Sequence, residues 1–379
     1  MTSPNSRSSG SPWRFVWIVD SNRSTWQAPE TVRCHFFSDG QTPKQLWRTS
    51  MHNITITEAG RAEMAFAGET PWHGLGQQVQ PNAPIEQWRR DAGLEWSIER
   101  RPVRFDTTED GAGEPGKLDG HDVLVRSDNK KGLSVVTKKY RVVQPDSVLG
   151  FFRGLTEHAG FQIETAGSLR EGRMIWVLAN TGLQEQIVPG DKVKGYLLLA
   201  TSYDGSIATT ATYTSTRVVC NNTLRLALNR DLESHIRIRH DSEFDPDLVK
   251  SQLGLLADQS WSNFVTRMKT LSGARMGSAE AGIVLAGVLA QHQAATASTA
   301  VTETRGYKKI MELFNGSGRG AEMSGVRNTA WGLVNAVTQY VDFERKAHSS
   351  ATRLNNAWFG TGARLKDDVV TELLDLVQS

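Results

Sequence analysis

Between Glu95 and Val219 apolar and polar residues tend to alternate in short runs, and beyond Asn221 apolar residues recur every three or four positions. That change of period predicts strands first and helices afterwards. Trp96–Phe105 alternates as one strand. The run "HDVLVRSDNKKGLSVVTKKYRVVQP" carries two more, joined at "SDNKKG", and "FQIETAGSLREGRMIWVLAN" turns at Arg170–Gly172. A further hairpin, "DKVKGYLLLATSYDGSIATTATYTSTRVV", turns at "YDGS". Asp204–Gly205 is the strongest turn signal in the chain, because a type I′ turn wants positive φ at both central residues. Two helices interrupt the strands. One is Ala83–Ala92, closed by Gly93; the other is "PDSVLGFFRGLTEHAG", opened by Pro145 and Asp146 and closed by Gly160.

Beyond Asn221 the pattern predicts a short Asn-capped helix in "NNTLRLALNR" and a long one in "DPDLVKSQLGLLADQSWSNFVTRMKTLSG". Further helices are expected in "SAEAGIVLAGVLAQHQ", "GYKKIMELFNGSGRG", "NTAWGLVNAVTQYVDFERKA" and "LKDDVVTELLDLVQ". Successive hairpins imply an antiparallel meander. The predicted fold is therefore α+β: a twisted antiparallel sheet of hairpins, the helix at Asp146–His158 packed on it, and a helical C-terminal half. Three regions follow. Residues 1–50 are Ser/Pro-rich without a period and read as a non-native or disordered N-terminal extension, with Met51 the natural start. Residues 51–240 are the sheet domain and 241–379 the helical region. "MAFAGETPWHGLGQQV", which holds Trp72 and His73, reads as an irregular loop.

Composition narrows the function classes only a little. The chain has 379 residues, 39% hydrophobic and 22% charged, with a net charge of +2, so a nucleic-acid signal has to be local. No apolar run reaches the roughly 18 residues that span a bilayer. The two cysteines, Cys34 and Cys220, lie far apart, form no metal or redox spacing, and fit a reduced cytoplasmic chain.

Candidate chemistry is sparse. "GSGRG" (Gly316–Gly320) lacks the Lys-Ser/Thr pair of a phosphate loop and reads as a flexible link, with Arg319 left as a phosphate contact. His73 has no second ligand at metal spacing. The acidic pairs in "TTED", "DPD" and "KDD" stand at loops and helix starts, where carboxylates cap. No catalytic pattern appears, so no catalytic residue, metal ligand or cofactor is assigned.

The distinctive stretch is "SYDGSIATTATYTSTRVVCNNTLRLAL". Alternation puts Thr210, Thr212, Thr214 and Thr216 on one side of a strand and Ala211, Tyr213, Ser215 and Arg217 on the other. Thr is a good strand former, so an exposed Thr face needs no partner. Hydroxyls also donate to phosphate oxygens, Arg217 adds a bidentate contact and Tyr213 a stacking surface. The hairpins add Lys138, Lys139, Arg141 and Arg173, and Arg225, Arg237 and Arg239 follow the strand. The residues predict a basic, hydroxyl-rich nucleic-acid face made of Lys138, Lys139, Arg141, Arg173, Thr212, Tyr213, Thr214, Arg217 and Arg225.

"MAFAGETPWHGLGQQV", the Thr-rich stretch, "NTAWGLVNAVTQYVDF" and "NNAWFGTGARLKDDVV" resemble the phage/plasmid-like protein family, a conserved domain of unknown function. The likeness runs from Glu63 to Leu376. It implies a mobile-element source and no particular chemistry. More loosely, hairpins and a helix followed by a helical tail are similar to the ring-forming phage single-strand annealing proteins of the Erf and RecT types. The expected function is non-catalytic binding of single-stranded DNA, extending to annealing, by a homo-oligomer in replication or recombination of a phage or plasmid. Two other readings stand beside it: an anti-defence protein that binds a host protein, and a nuclease or nucleotide-processing enzyme with an unrecognised site.

Overall fold

The alternating stretches become strands and the longer-period stretches helices, in an α+β arrangement. The computed structural model describes residues 54–68, 70–71, 74–108, 113–217, 222–225, 235–292, 300–346 and 356–378. The expectations for residues 1–50, Met51, Trp72, His73, Cys34 and Cys220 lie outside these residues.

The chain runs β1 (Met64–Ala67), β2 (Gln77–Val79), α1 (Ile85–Asp91), β3 (Ile98–Phe105), β4 (Gly116–Arg126), β5 (Gly132–Thr137) and α2 (Pro145–His158). Next come β6 (Gln162–Leu169), β7 (Met174–Val188), β8 (Asp191–Ser202), β9 (Thr209–Arg217), β10 (Asn222–Arg225) and β11 (His235–Ile238). The helices α3 (Pro246–Gly273), α4 (Ser278–Gln291), α5 (Arg305–Glu312), α6 (Ala330–Gln339) and α7 (Thr361–Gln378) follow. Local chemistry starts several of them. Asp245 caps α3 by accepting from the Asp247 and Leu248 amides at 3.0 and 3.1 Å, and Thr329 caps α6 by accepting from Gly332 N at 3.1 Å.

Eight strands form one sheet in the order β10-β9-β8-β7-β6-β1-β2, with β11 pairing β9 beside β10; β3-β4-β5 form a second sheet. All pairings are antiparallel except β1 with β2. One face of the large sheet meets α2, α3 and α6 in the main core, where Phe152, Leu197, Tyr213, Phe264 and Trp331 are buried. A second cluster, with Met64, Trp176, Leu198 and Ala200, covers the other face and is joined by Trp358 and Phe359. The sheet is thus apolar on both sides.

Three local expectations are corrected. The ends of "MAFAGETPWHGLGQQV" are strands, because β6 offers its edge to β1 through Met64 opposite Gly167. Asn222–Arg225, expected as a helix, is a strand because it pairs with the open edge of β9. The turn at Asp204–Gly205 is not type I′: Gly205 has φ +72° but Asp204 is not among the positive-φ residues. Asp204 instead accepts from the Ser206 amide at 3.0 Å and pairs with Arg170 at 3.1 Å, so the loop from Tyr203 to Ala208 is held by side chains. A hairpin that alternation did not single out joins β7 to β8 at Pro189–Gly190.

Candidate nucleic-acid interface

β9 settles where the hydroxyl row lies. It is flanked by β8 on one edge and by β10 and β11 on the other, and clusters cover both of its faces. Thr212, Tyr213 and Thr214 are only 3%, 4% and 5% exposed. The outward-facing row expected from alternation is therefore corrected: the row is interior. Tyr213 lies in the main core opposite Leu197. Thr201 and Thr209 hydroxyls meet at 2.8 Å, and Thr210 donates to Ala208 O at 2.9 Å. These are local bonds of the kind Thr makes when water is excluded. Thr212 and Thr214 line a narrow cleft with Leu198, Trp358 and Lys366, with room for about one water. Lys366 is buried there and donates to Asp342 Oδ1 at 2.7 Å.

The other candidate residues separate. Arg217 lies opposite Val193 and Asn222, and Arg225 opposite Thr214; their side chains fall outside the described residues. Arg173 is half-buried, with Nε donating to Leu133 O at 3.1 Å, so one of its guanidinium donors is used within the fold. Arg319 lies over the Phe343 ring at 5.0 Å.

Lys138, Lys139 and Arg141 remain together and gain neighbours. They occupy the link from β5 to α2, and the Arg141 amide donates to the His240 carbonyl just past β11. Tyr140 stacks on His240 with ring centroids 4.5 Å apart at 18°. Its hydroxyl donates to Ser202 O at 2.7 Å, and burial pushes that hydroxyl far above the usual phenol range. His240 Nε2 lies 2.9 Å from Ile207 O. This joint brings two distant basic segments side by side, exposing Lys138, Lys139 and Arg141 from one and Arg237 and Arg239 from the other.

Carboxylates neutralise only part of this ridge. Lys138 pairs with Asp122, which Arg100 also binds at 3.0 Å. The Lys138 ammonium, helped by Arg100, holds the Asp122 carboxyl below the usual carboxylate range, against the opposing pull of burial. Arg239 pairs with Asp241 at 2.9 Å. Among the described residues no carboxylate lies within ion-pair distance of Lys139, Arg141 or Arg237. The arrangement offers exposed cations around a half-buried aromatic stack, a surface suited to phosphates. Sequence reasoning left Tyr140, His240 and Arg100 out, and Arg237 and Arg239 out of the face. The charges were visible, but the joint depends on β11 returning to β9.

Among the described residues no group of three or more His, Cys, Asp or Glu side chains converges to hold a metal ion, and no helix is long and apolar enough to cross a membrane. The profile of a family described as a domain of unknown function, DUF932, matches residues 132–358, more than half of the chain and a span that includes the ridge. No curated protein matches, and no solved structure matches.

Proposed function

The chain belongs to the DUF932 family, a domain of unknown function, and from that premise we propose that it binds single-stranded DNA without catalysis through the Lys138–Arg141 and Arg237–Arg239 ridge. The observation that carries this reading is the joint at Arg141 and His240, which gathers exposed cations from two segments, three of them (Lys139, Arg141 and Arg237) with no carboxylate at ion-pair distance among the described residues. Contacts to phosphate supply affinity without sequence preference. A role in phage or plasmid replication or recombination, with annealing as in the Erf and RecT types, extends the same reading. The buried threonines take no part in it.

Anisotropy titrations of labelled single-stranded and duplex DNA over a salt series test the proposal. Log affinity should fall with log salt by about 0.7 per phosphate neutralised on a single strand. Lys139→Ala and Arg141→Ala should each make that slope shallower by about 0.7 and weaken all sequences alike. Absence of DNA affinity at low salt, or parental slopes in both variants, would overturn the reading. Magnesium-dependent loss of the labelled DNA would point to a nuclease instead.

A further inference from the structure

The covered face of the three-stranded sheet ends in charge at the foot of the ridge. Ile98, Leu124 and Val136 of that face enter the main core. The register sets Arg100 opposite Leu124 and Asp122 opposite Val136. The Lys138 amide donates to Gly120 O at 3.0 Å, and alternation from Val136 puts Lys138 on the same face. These three side chains converge on one carboxylate.

The Asp122 side chain is only 6% exposed, and each of its oxygens takes a different cation. Oδ1 accepts from Lys138 Nζ, and Oδ2 accepts from Arg100 at 3.0 Å. Arg100 also donates to Tyr140 O, so it is fastened to the fold twice. Lys138 differs, because its side chain is 59% exposed and Asp122 is its one carboxylate among the described residues. An ion pair exposed on both sides contributes little and gives way readily. Here the carboxylate is buried and cannot turn to water. A lysine that leaves it uncovers an acceptor without a donor, which costs more than breaking a surface pair.

We infer that Asp122 limits the grip of the ridge on a DNA strand by holding Lys138 back from the phosphates. A phosphate that reaches Lys138 competes with a carboxylate already bound there. At Lys139 and Arg141 no carboxylate of the described residues stands in its way. Asp122 is thus a positioning residue of the ridge that touches no DNA itself. The inference rests on the DNA-binding reading and adds to it what restrains affinity.

Anisotropy titrations of the full chain with a labelled oligothymidylate over a salt series test it. Asp122→Asn keeps an acceptor for Arg100 and removes the charge that holds Lys138. Its salt slope should be steeper than the parent's by about 0.7, the share of one further phosphate on a single strand, with tighter binding at low salt. Adding Lys138→Ala to Asp122→Asn should bring the slope back to the parent's. Asp119→Asn makes the same charge change on an exposed β4 side chain that pairs with Lys117 at 3.6 Å, and should leave the slope where it is. A parental slope in Asp122→Asn, a double variant as steep as Asp122→Asn, or equal steepening by Asp119→Asn overturns the inference. Lysine acetylation of the parent, read by mass spectrometry with and without the oligonucleotide, decides the matter even where Asp122→Asn does not fold. DNA should protect Lys139 and leave Lys138 as reactive as in the free chain, and equal protection of both overturns the inference. A parent that binds no DNA at low salt defeats the DNA-binding reading and this inference with it. A parent that binds, beside an Asp122→Asn variant of unchanged slope, defeats this inference alone.

Discussion

Glu63 and Arg126 show what single residues contribute. Both are buried, and Arg126 reaches the Glu63 carboxylate twice, at 2.6 and 3.0 Å. Its remaining donors go to Asp128 at 3.0 and 2.7 Å and to Glu171 O at 3.4 Å. The guanidinium also lies over Trp96 at 4.2 Å, and Ser168 donates to Glu63 from β6. Every donor is used, as a buried charge requires. The network ties the end of β4 in one sheet to β1 and β6 in the other. Glu63→Gln leaves the half-exposed Asp128 as the carboxylate paired with Arg126 among the described residues, and removing one partner of a buried pair costs about 3 kcal/mol. Chemical denaturation of the variant should show a loss of that order. A change under about 0.5 kcal/mol, the range of ordinary surface substitutions, would show that the pair is structurally idle.

At the scale of elements, the turn between β8 and β9 and the strand it feeds are decided by different forces. Asp204–Gly205 marks the turn correctly, yet side-chain bonds from Asp204 replace the type I′ geometry. Gly205 still needs its positive φ, and a Cβ there meets nothing within 4 Å. Gly205→Ala therefore carries only the backbone penalty, about 1 kcal/mol, with no clash added. Urea melts that show no loss would mean the loop relaxes into another conformation. In β9 itself the Thr-rich pattern was legible as a strand but not as an interior one. Threonine suits both a wet face and a hydrogen-bonded interior, so the residues do not discriminate.

For the molecule as a whole, the sheet and the helical half share one core. Leu197 and Tyr213 belong to the same buried cluster as Phe264, Trp331 and Val369, and the described residues fall in one compact unit. Unfolding monitored by far-ultraviolet circular dichroism and by tryptophan fluorescence should therefore give coincident transitions. Two separated transitions would show that the helical half folds on its own. The same shared core brings β11 back across β9, and with it the second half of the basic ridge.

The sequence by itself determined the α+β class, the hairpins around "SDNKKG", "REG" and "YDGS", the helix at α2 and the long helix α3. These rest on local chemistry: alternation, turn residues, caps, and proline or glycine at helix ends. It also picked out Lys138, Lys139 and Arg141 as basic and clustered. Only the tertiary structure decided that Thr212 and Thr214 are covered, that Asn222–Arg225 is a strand, and that Arg237 and Arg239 stand beside Arg141. Each of these depends on which strand takes the open edge of β9 and which chain segments cover its faces. Such pairings join residues far apart in the chain, and their stabilisation comes from burial that no local pattern records.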